Sequence, residues 1–120
     1  MKIAVIEDDV FFQKFYSTRL TEQGFETLVA SDGDEGLAMI RAQKPNMILL
    51  DIIMPKKNGF EVLEEMKKDP EISSIPVLVF STLGQEDDVK HAISLGAKDY
   101  INKSFFDFNN LISKINTIIK

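Results

Sequence analysis

Apolar residues along this chain alternate between two patterns, short unbroken runs and longer stretches in which they recur every three or four positions. Ile3-Ala4-Val5-Ile6, within Lys2 to Glu7, predicts a first strand. Phe12, Phe15, Tyr16 and Leu20 at helical spacing then predict a helix that Gly24 stops. The alternation repeats. Phe25 to Ala30 predicts a second strand, and Ser31-Asp32-Gly33 offers capping and turn chemistry. Leu37, Met39 and Ile40 mark a helix that must end near Pro45. Met47-Ile48-Leu49-Leu50 is apolar at every position, as a central strand covered on both faces requires. Pro55 and Asn58-Gly59 mark a loop, Phe60, Val62, Leu63 and Met66 a third helix, and Pro70 lies beyond its end. Pro76 opens a fourth strand over Val77 to Phe80. A helix carrying Val89, Ala92, Ile93 and Leu95 runs to Gly96, and Asp99-Tyr100-Ile101 is a weak fifth strand. The last helix keeps one apolar stripe, Phe108, Leu111, Ile112, Ile115, Ile118 and Ile119.

Five strands alternating with five helices predict an α/β fold, a doubly wound five-stranded parallel sheet with helices on both faces. The flavodoxin-like strand order 2-1-3-4-5 is the common solution at this length, and it sets the first and third strands side by side. Residues 1–120 form one domain on this reading, without repeats or linkers. Composition changes the picture by exclusion. The lack of cysteine removes disulfides, thiolate metal sites and cysteine nucleophiles, and fits a cytoplasmic protein. A formal net charge of -5 argues against direct binding to nucleic acid. No apolar run approaches the ~20 residues of a membrane span, so neither membrane insertion nor export is expected.

Chemistry is concentrated where strands end. The acidic run Glu7-Asp8-Asp9, Asp51, Ser81 and Lys103 each follow a short apolar segment. In an open parallel sheet those carboxyl ends share one edge, where ligands bind. Glu7, Asp8 and Asp51 would meet at the point where the strand order reverses. Clustered carboxylates ionise together only beside a cation, and oxygen ligands suit a hard ion such as Mg²⁺. A metal and a phosphoryl group are the expected occupants.

These residues and their spacing carry a resemblance. From Asp8 to Asp51 is 43 positions, from Asp51 to Ser81 is 30, and from Asp51 to Lys103 is 52. Together with Asp51-Ile52-Ile53-Met54-Pro55, Asn58-Gly59, Gly96-Ala97 and Tyr100, the whole chain resembles the receiver domain of two-component response regulators, the family of the bacterial chemotaxis regulator. The resemblance implies a phosphorelay signalling module rather than an enzyme, although one that takes part in its own phosphorylation and dephosphorylation. Asp51 would accept a phosphoryl group from a phosphohistidine on a sensor histidine kinase or phosphotransfer protein. Asp8 would bind Mg²⁺ directly, Glu7 through water, and Asp51 and the Ile53 carbonyl would complete the protein's share. Ser81 would bond a phosphoryl oxygen, Lys103 would pair with the phosphoryl charge, and Ser81 with Tyr100 would form the switch. Tyr100 would swing into space freed by Ser81, biasing an output surface on the fourth helix, fifth strand and fifth helix.

Plainer roles compete at several positions. Asp9 suits a helix cap as well as a metal contact, and Thr82 could replace Ser81 if the register slipped by one. His91 is expected on a polar helix face, and Glu86-Asp87-Asp88 complements a helix amino terminus. Phe105 and Phe106 are core or partner surface. Ser104 stands where the family usually has proline, leaving the Lys103–Ser104 peptide cis or trans. The apolar Ile53 and Leu83 would position hydrolytic water poorly and so give a long-lived phosphoryl group. A haloacid-dehalogenase-type phosphatase would have a second aspartate where Ile53 stands, and a flavin binder a Ser/Thr/Gly-rich loop where Glu7-Asp8-Asp9 stands. A receiver-like interaction module working without phosphorylation is the remaining alternative.

Overall fold

The computed structural model describes residues 1–105 and 107–119. The chain alternates β1 (Lys2–Ile6), α1 (Val10–Glu22), β2 (Glu26–Ala30), α2 (Gly33–Gln43), β3 (Met47–Leu50), α3 (Gly59–Lys68), β4 (Val77–Ser81), α4 (Glu86–Ser94), β5 (Asp99–Asn102) and α5 (Phe108–Ile119). All neighbouring strands are parallel, as the alternation predicts, and their order is 2-1-3-4-5, the one expected as the common solution at this length. β1 and β3 are adjacent, with Ile6 opposite Leu50, and Leu50 lies opposite Val79 of β4.

Each strand feeds two cores because successive side chains point to opposite faces. Ile3, Val5, Met47, Leu49, Leu78 and Phe80 pack with Tyr16 and Leu20 of α1 and Leu111 and Ile115 of α5. Ala4, Ile6, Ile48, Leu50, Val77 and Val79 pack with α2, α3 and Ala92 of α4. That division explains the unbroken apolar run of β3, every residue of which is buried.

Helix starts are fixed by side-chain caps. Asp9 caps α1 by accepting from the Phe11 and Phe12 N–H groups, and Asp32 caps α2 by accepting from the Glu35 N–H. Asn58 and Glu61 form a reciprocal capping box at α3, with bonds of 3.0 and 3.1 Å. α4 has no side-chain cap, but Glu86, Asp87 and Asp88 fill its first turn and complement its dipole. Gly24 (φ 94°) and Gly96 (φ 106°) follow α1 and α4 in the left-handed region that favours glycine.

Some local expectations change. Lys103 does not end the fifth strand but opens a single 3-10 turn, Lys103–Phe105. Ile72, in the α3–β4 connection, is fully buried although no periodic pattern announces it. His91 is exposed as expected, yet its ring stacks on Phe60 of α3 at 4.3 Å between centroids. The Lys103–Ser104 bond is trans. The choice between core and partner surface for Phe105 and Phe106 falls on the Phe105 side chain and on Phe106, outside the described residues.

Candidate functional site

The sheet edge formed by the strand carboxyl ends gathers an unusual set. Among the described residues, the buried polar or charged side chains are Glu7, Asp51, Ser81 and Lys103. Burying a charge is costly unless it is paired, so such a set at one edge has a purpose other than packing.

Main-chain bonds that continue past the strands seat the acids. The Glu7 N–H donates to the Ala30 carbonyl and the Asp51 N–H to the Ile6 carbonyl, both at 3.0 Å. Lys103 Nζ donates to Glu7 Oε1 and, at 3.1 Å, to Asp51 Oδ2. The other oxygen, Asp51 Oδ1, accepts from the Ile52 N–H at 2.7 Å and the Ile53 N–H at 3.4 Å. Main chain therefore fixes one carboxylate oxygen while the other faces the ammonium. Ligand oxygens of Glu7, Asp8 and Asp51 all lie within 4.8 Å of one another, with Asp8 exposed at the mouth.

Electrostatics favours a cation here. With all three carboxylates ionised, the one ammonium would leave two uncompensated negative charges, the charge of one divalent ion. Burial pushes the Glu7 carboxyl up to about 7; the bond from Lys103 opposes the rise and the nearby Asp51 adds to it. A hard divalent cation would reverse that penalty, and an all-oxygen donor set with an open side is what Mg²⁺ takes. The residues present fit such an ion. Asp9 spends Oδ1 on the α1 cap and is not in the cluster.

Ser81 is fully buried, whereas its neighbour Thr82 is exposed. Ser81 Oγ accepts from the Leu83 N–H at 3.2 Å. The Tyr100 hydroxyl donates to the Leu83 carbonyl, so this ring already faces the β4–α4 loop. Burial, together with the Asp88 charge, pushes the Tyr100 phenol up to about 12, while a hydrogen bond with Ser81 opposes the rise. Ser81, Leu83 and Tyr100 thus join the ends of β4 and β5 in one network. Tyr100 itself is half-buried. Ile53 is 54% exposed beside Asp51.

Sequence reasoning missed the supporting part that several residues play at the site. The Gln13 side-chain amide donates to the Glu7 carbonyl and to Ser31 Oγ, bracing the acidic loop. Tyr16 lies fully buried in the α1 core, its phenol pushed up by burial and by the charges of Glu7, Asp51 and Asp9. Gly59 approaches the Asp51 main chain so closely that a Cβ would fall 2.5 Å from its carbonyl oxygen. Tyr16 was legible as part of the apolar helical spacing and Gly59 as part of the Asn58-Gly59 pair in the turn and the family resemblance, but neither signal tells what the residue touches, and Gln13 carried none.

Residues 3–116 match the family model of the response regulator receiver domain. The chain belongs to that family. It is 34% identical over 118 residues to Protein PilH of Pseudomonas aeruginosa, covering 98% of this chain and 97% of that protein. It is also 36% identical over 104 residues to the probable transcriptional regulator ycf27 of Cyanophora paradoxa. That match takes in 87% of this chain but only 42% of the ycf27 protein, so the receiver spans about two fifths of that relative. Among solved structures, the receiver domain of the Francisella response regulator 1452 superimposes with a TM-score of 0.90 at 30% identity, over 98% of this chain and 95% of that one. The CheY of the CheX-CheY-BeF3-Mg complex from Borrelia burgdorferi gives a TM-score of 0.92 at 26% identity, covering 100% and 90%. As a receiver domain of two-component response regulators, the chain is a signalling module, with the doubly wound fold of its CheY-like neighbours. No helix among the described residues is long and apolar enough to cross a membrane.

Proposed function

We propose that Asp51 is the phosphoacceptor of this receiver, that Glu7, Asp8, Asp51 and the Ile53 carbonyl hold Mg²⁺, and that Ser81 and Lys103 receive the phosphoryl oxygens. The observation that carries this reading is the buried ammonium of Lys103 bonded to both Glu7 and Asp51 at an edge otherwise lined by apolar strands. A lysine there neutralises charge that a phosphoryl group would bring. The donor is a phosphohistidine on a sensor kinase or phosphotransfer protein, and the protein acts in the cytoplasm as its family does.

The chain's own residues supply positioning and charge, which phosphoryl transfer needs more than covalent assistance. The Ile52 N–H fixes the plane of the Asp51 carboxylate. A bond forms between an Asp51 oxygen and phosphorus as the donor's phosphorus–nitrogen bond breaks. The imidazole leaves with the electron pair and takes up a proton. Bound Mg²⁺ supplies Lewis-acid neutralisation of the transferring oxygens. Lys103 then turns from its carboxylate partners to the phosphoryl group. Ser81 shifts its hydroxyl from the Leu83 N–H to a phosphoryl oxygen, and that exchange loosens the network through Leu83 to Tyr100. The output is a two-state surface over α4, β5 and α5 that a partner reads.

Intact mass after incubation with Mg²⁺ and acetyl phosphate tests the reading. The wild type is expected to gain one phosphoryl group and Asp51→Asn none. A gain retained in Asp51→Asn, or absent from a folded wild type, would overturn the assignment. A second expectation concerns lifetime. Ile53, exposed at the mouth, and half-buried Leu83 offer attacking water no polar partner through their side chains. The phosphorylated form should therefore persist for minutes or longer once the donor is removed, and loss of label within seconds would refute this.

A further inference from the structure

Lys103 is held by more than its carboxylates. Its Nζ lies 4.8 Å from the centroid of the Phe12 ring and 6.0 Å from that of Phe80. The rings are themselves fixed. Phe12 stacks on Tyr16 at 5.7 Å with an interplanar angle of 12°, and Tyr16 meets Phe80 edge to face at 4.9 Å. Phe12 also sits in the first turn of α1, where its N–H reaches the Asp9 carboxylate, so the ring is tied to the acidic loop. Only 5% of the Lys103 side chain is exposed. In so dry a place the attraction of an ammonium for an aromatic face is at its strongest.

The carboxylates that hold Lys103 are also proposed metal ligands. A divalent ion drawing on Glu7 and Asp51 weakens their hold on the ammonium and repels it. An ammonium released into water would be lost to the phosphoryl group, and one left on the carboxylates would oppose the ion. An aromatic face attracts a cation without supplying an anion for the metal to take. On the magnesium reading of the acidic cluster, we propose that Phe12 is a positioning residue: its ring face retains the Lys103 ammonium while a divalent cation draws on Glu7 and Asp51, so that both cations share one site.

Replacing Phe12 by mono-, di- and trifluorophenylalanine tests this, because the shape is nearly kept while the negative ring face is weakened stepwise. The readouts are Mg²⁺ affinity by titration of tyrosine fluorescence and the proton shifts of the Lys103 ε-methylene in the Mg²⁺-loaded protein. Affinity should fall stepwise, by about five- to tenfold at trifluorophenylalanine, with unfolding midpoints unchanged. Phe12→Leu should lose a similar amount and Phe12→Tyr should bind as the wild type does. The ε-methylene protons should lie upfield in the wild type and return to ordinary values in Phe12→Leu. Equal affinity across the fluorinated series, or unshifted methylene protons in the wild type, would overturn the role of Phe12. A wild type that binds no Mg²⁺ at all would overturn the magnesium reading beneath it.

Discussion

Replacing Lys103 with alanine should destabilise the metal-free protein by about 3–5 kcal/mol at pH 8, the range for removing one partner of a buried ion pair. The cause is not the loss of two attractive contacts alone. Glu7 and Asp51 are 3% and 7% exposed, and without the ammonium both would have to stay charged in a dry site or take up a proton. The Glu7 carboxyl is already raised from the ordinary 4.5 to about 7, mainly by burial. Folding therefore takes up a proton on Glu7. Its contribution is fully present below pH 4.5 and is lost as pH rises through about 7, a loss of roughly 3 kcal/mol across the window. The bond from Lys103 lowers the Glu7 value, so its removal moves that loss to higher pH and deepens it. The gap between variant and wild type should accordingly be wider at pH 8 than at pH 6, measured by urea unfolding with chelator present. Phosphorylation by acetyl phosphate should fall on the order of a hundredfold, as when one oxyanion donor is removed. A variant within about 1 kcal/mol of the wild type at pH 8 would mean that the charged cluster is more solvated than its burial implies.

That the acids and the lysine meet follows from features visible in the primary structure. β3 is apolar at every position, which only a strand covered on both faces requires, and it ends at Asp51. Parallel strands share their carboxyl edge, so Glu7 and Asp51 had to be neighbours once β1 and β3 were adjacent. Lys103 is different in kind. Its distance from Asp51 along the chain is a family spacing, but nothing in its local pattern foretells the 3-10 turn that aims it inward. Phe12 reads as core because its periodicity is that of the α1 face, and periodicity reports which face a residue lies on, not which cation lies over it. Tyr100 illustrates a second limit. A weak strand with an aromatic tells of an edge, whereas the partner of its hydroxyl, the Leu83 carbonyl, is set by a loop without a repeating pattern. His91 on Phe60 is similar, since a polar helix face does not disclose the ring of the neighbouring helix. Lateral approaches between elements were what the pattern left out.

One such approach, that of Gly59 to the Asp51 loop, yields the other large effect. Gly59→Ala would put a Cβ 2.5 Å from the Asp51 carbonyl oxygen, 2.7 Å from Ile52 Cδ1 and 2.8 Å from Ile52 Cα. Two of these three are main-chain atoms, which cannot rotate aside as a side-chain tip can. The Gly59 N–H also donates to the Ile52 carbonyl at 2.8 Å, so α3 and the acceptor loop cannot part without breaking that bond. The loop must therefore shift, and it carries Asp51 and the Ile53 carbonyl with it. Overpacking of this kind costs about 1–3 kcal/mol. Catalysis should suffer more, because a misplacement approaching 1 Å costs roughly a hundredfold in rate. Gly24→Ala separates the two effects. Gly24 has nothing within 4 Å of an added Cβ but a φ of 94°, so its variant is strained at the far end of α1 without touching the site. Both variants should unfold at lower urea concentration, while only Gly59→Ala should lose phosphorylation and Mg²⁺ affinity. Equal phosphorylation rates in the two would show that the acceptor loop tolerates displacement from α3, and that Asp51 is placed by β3 alone.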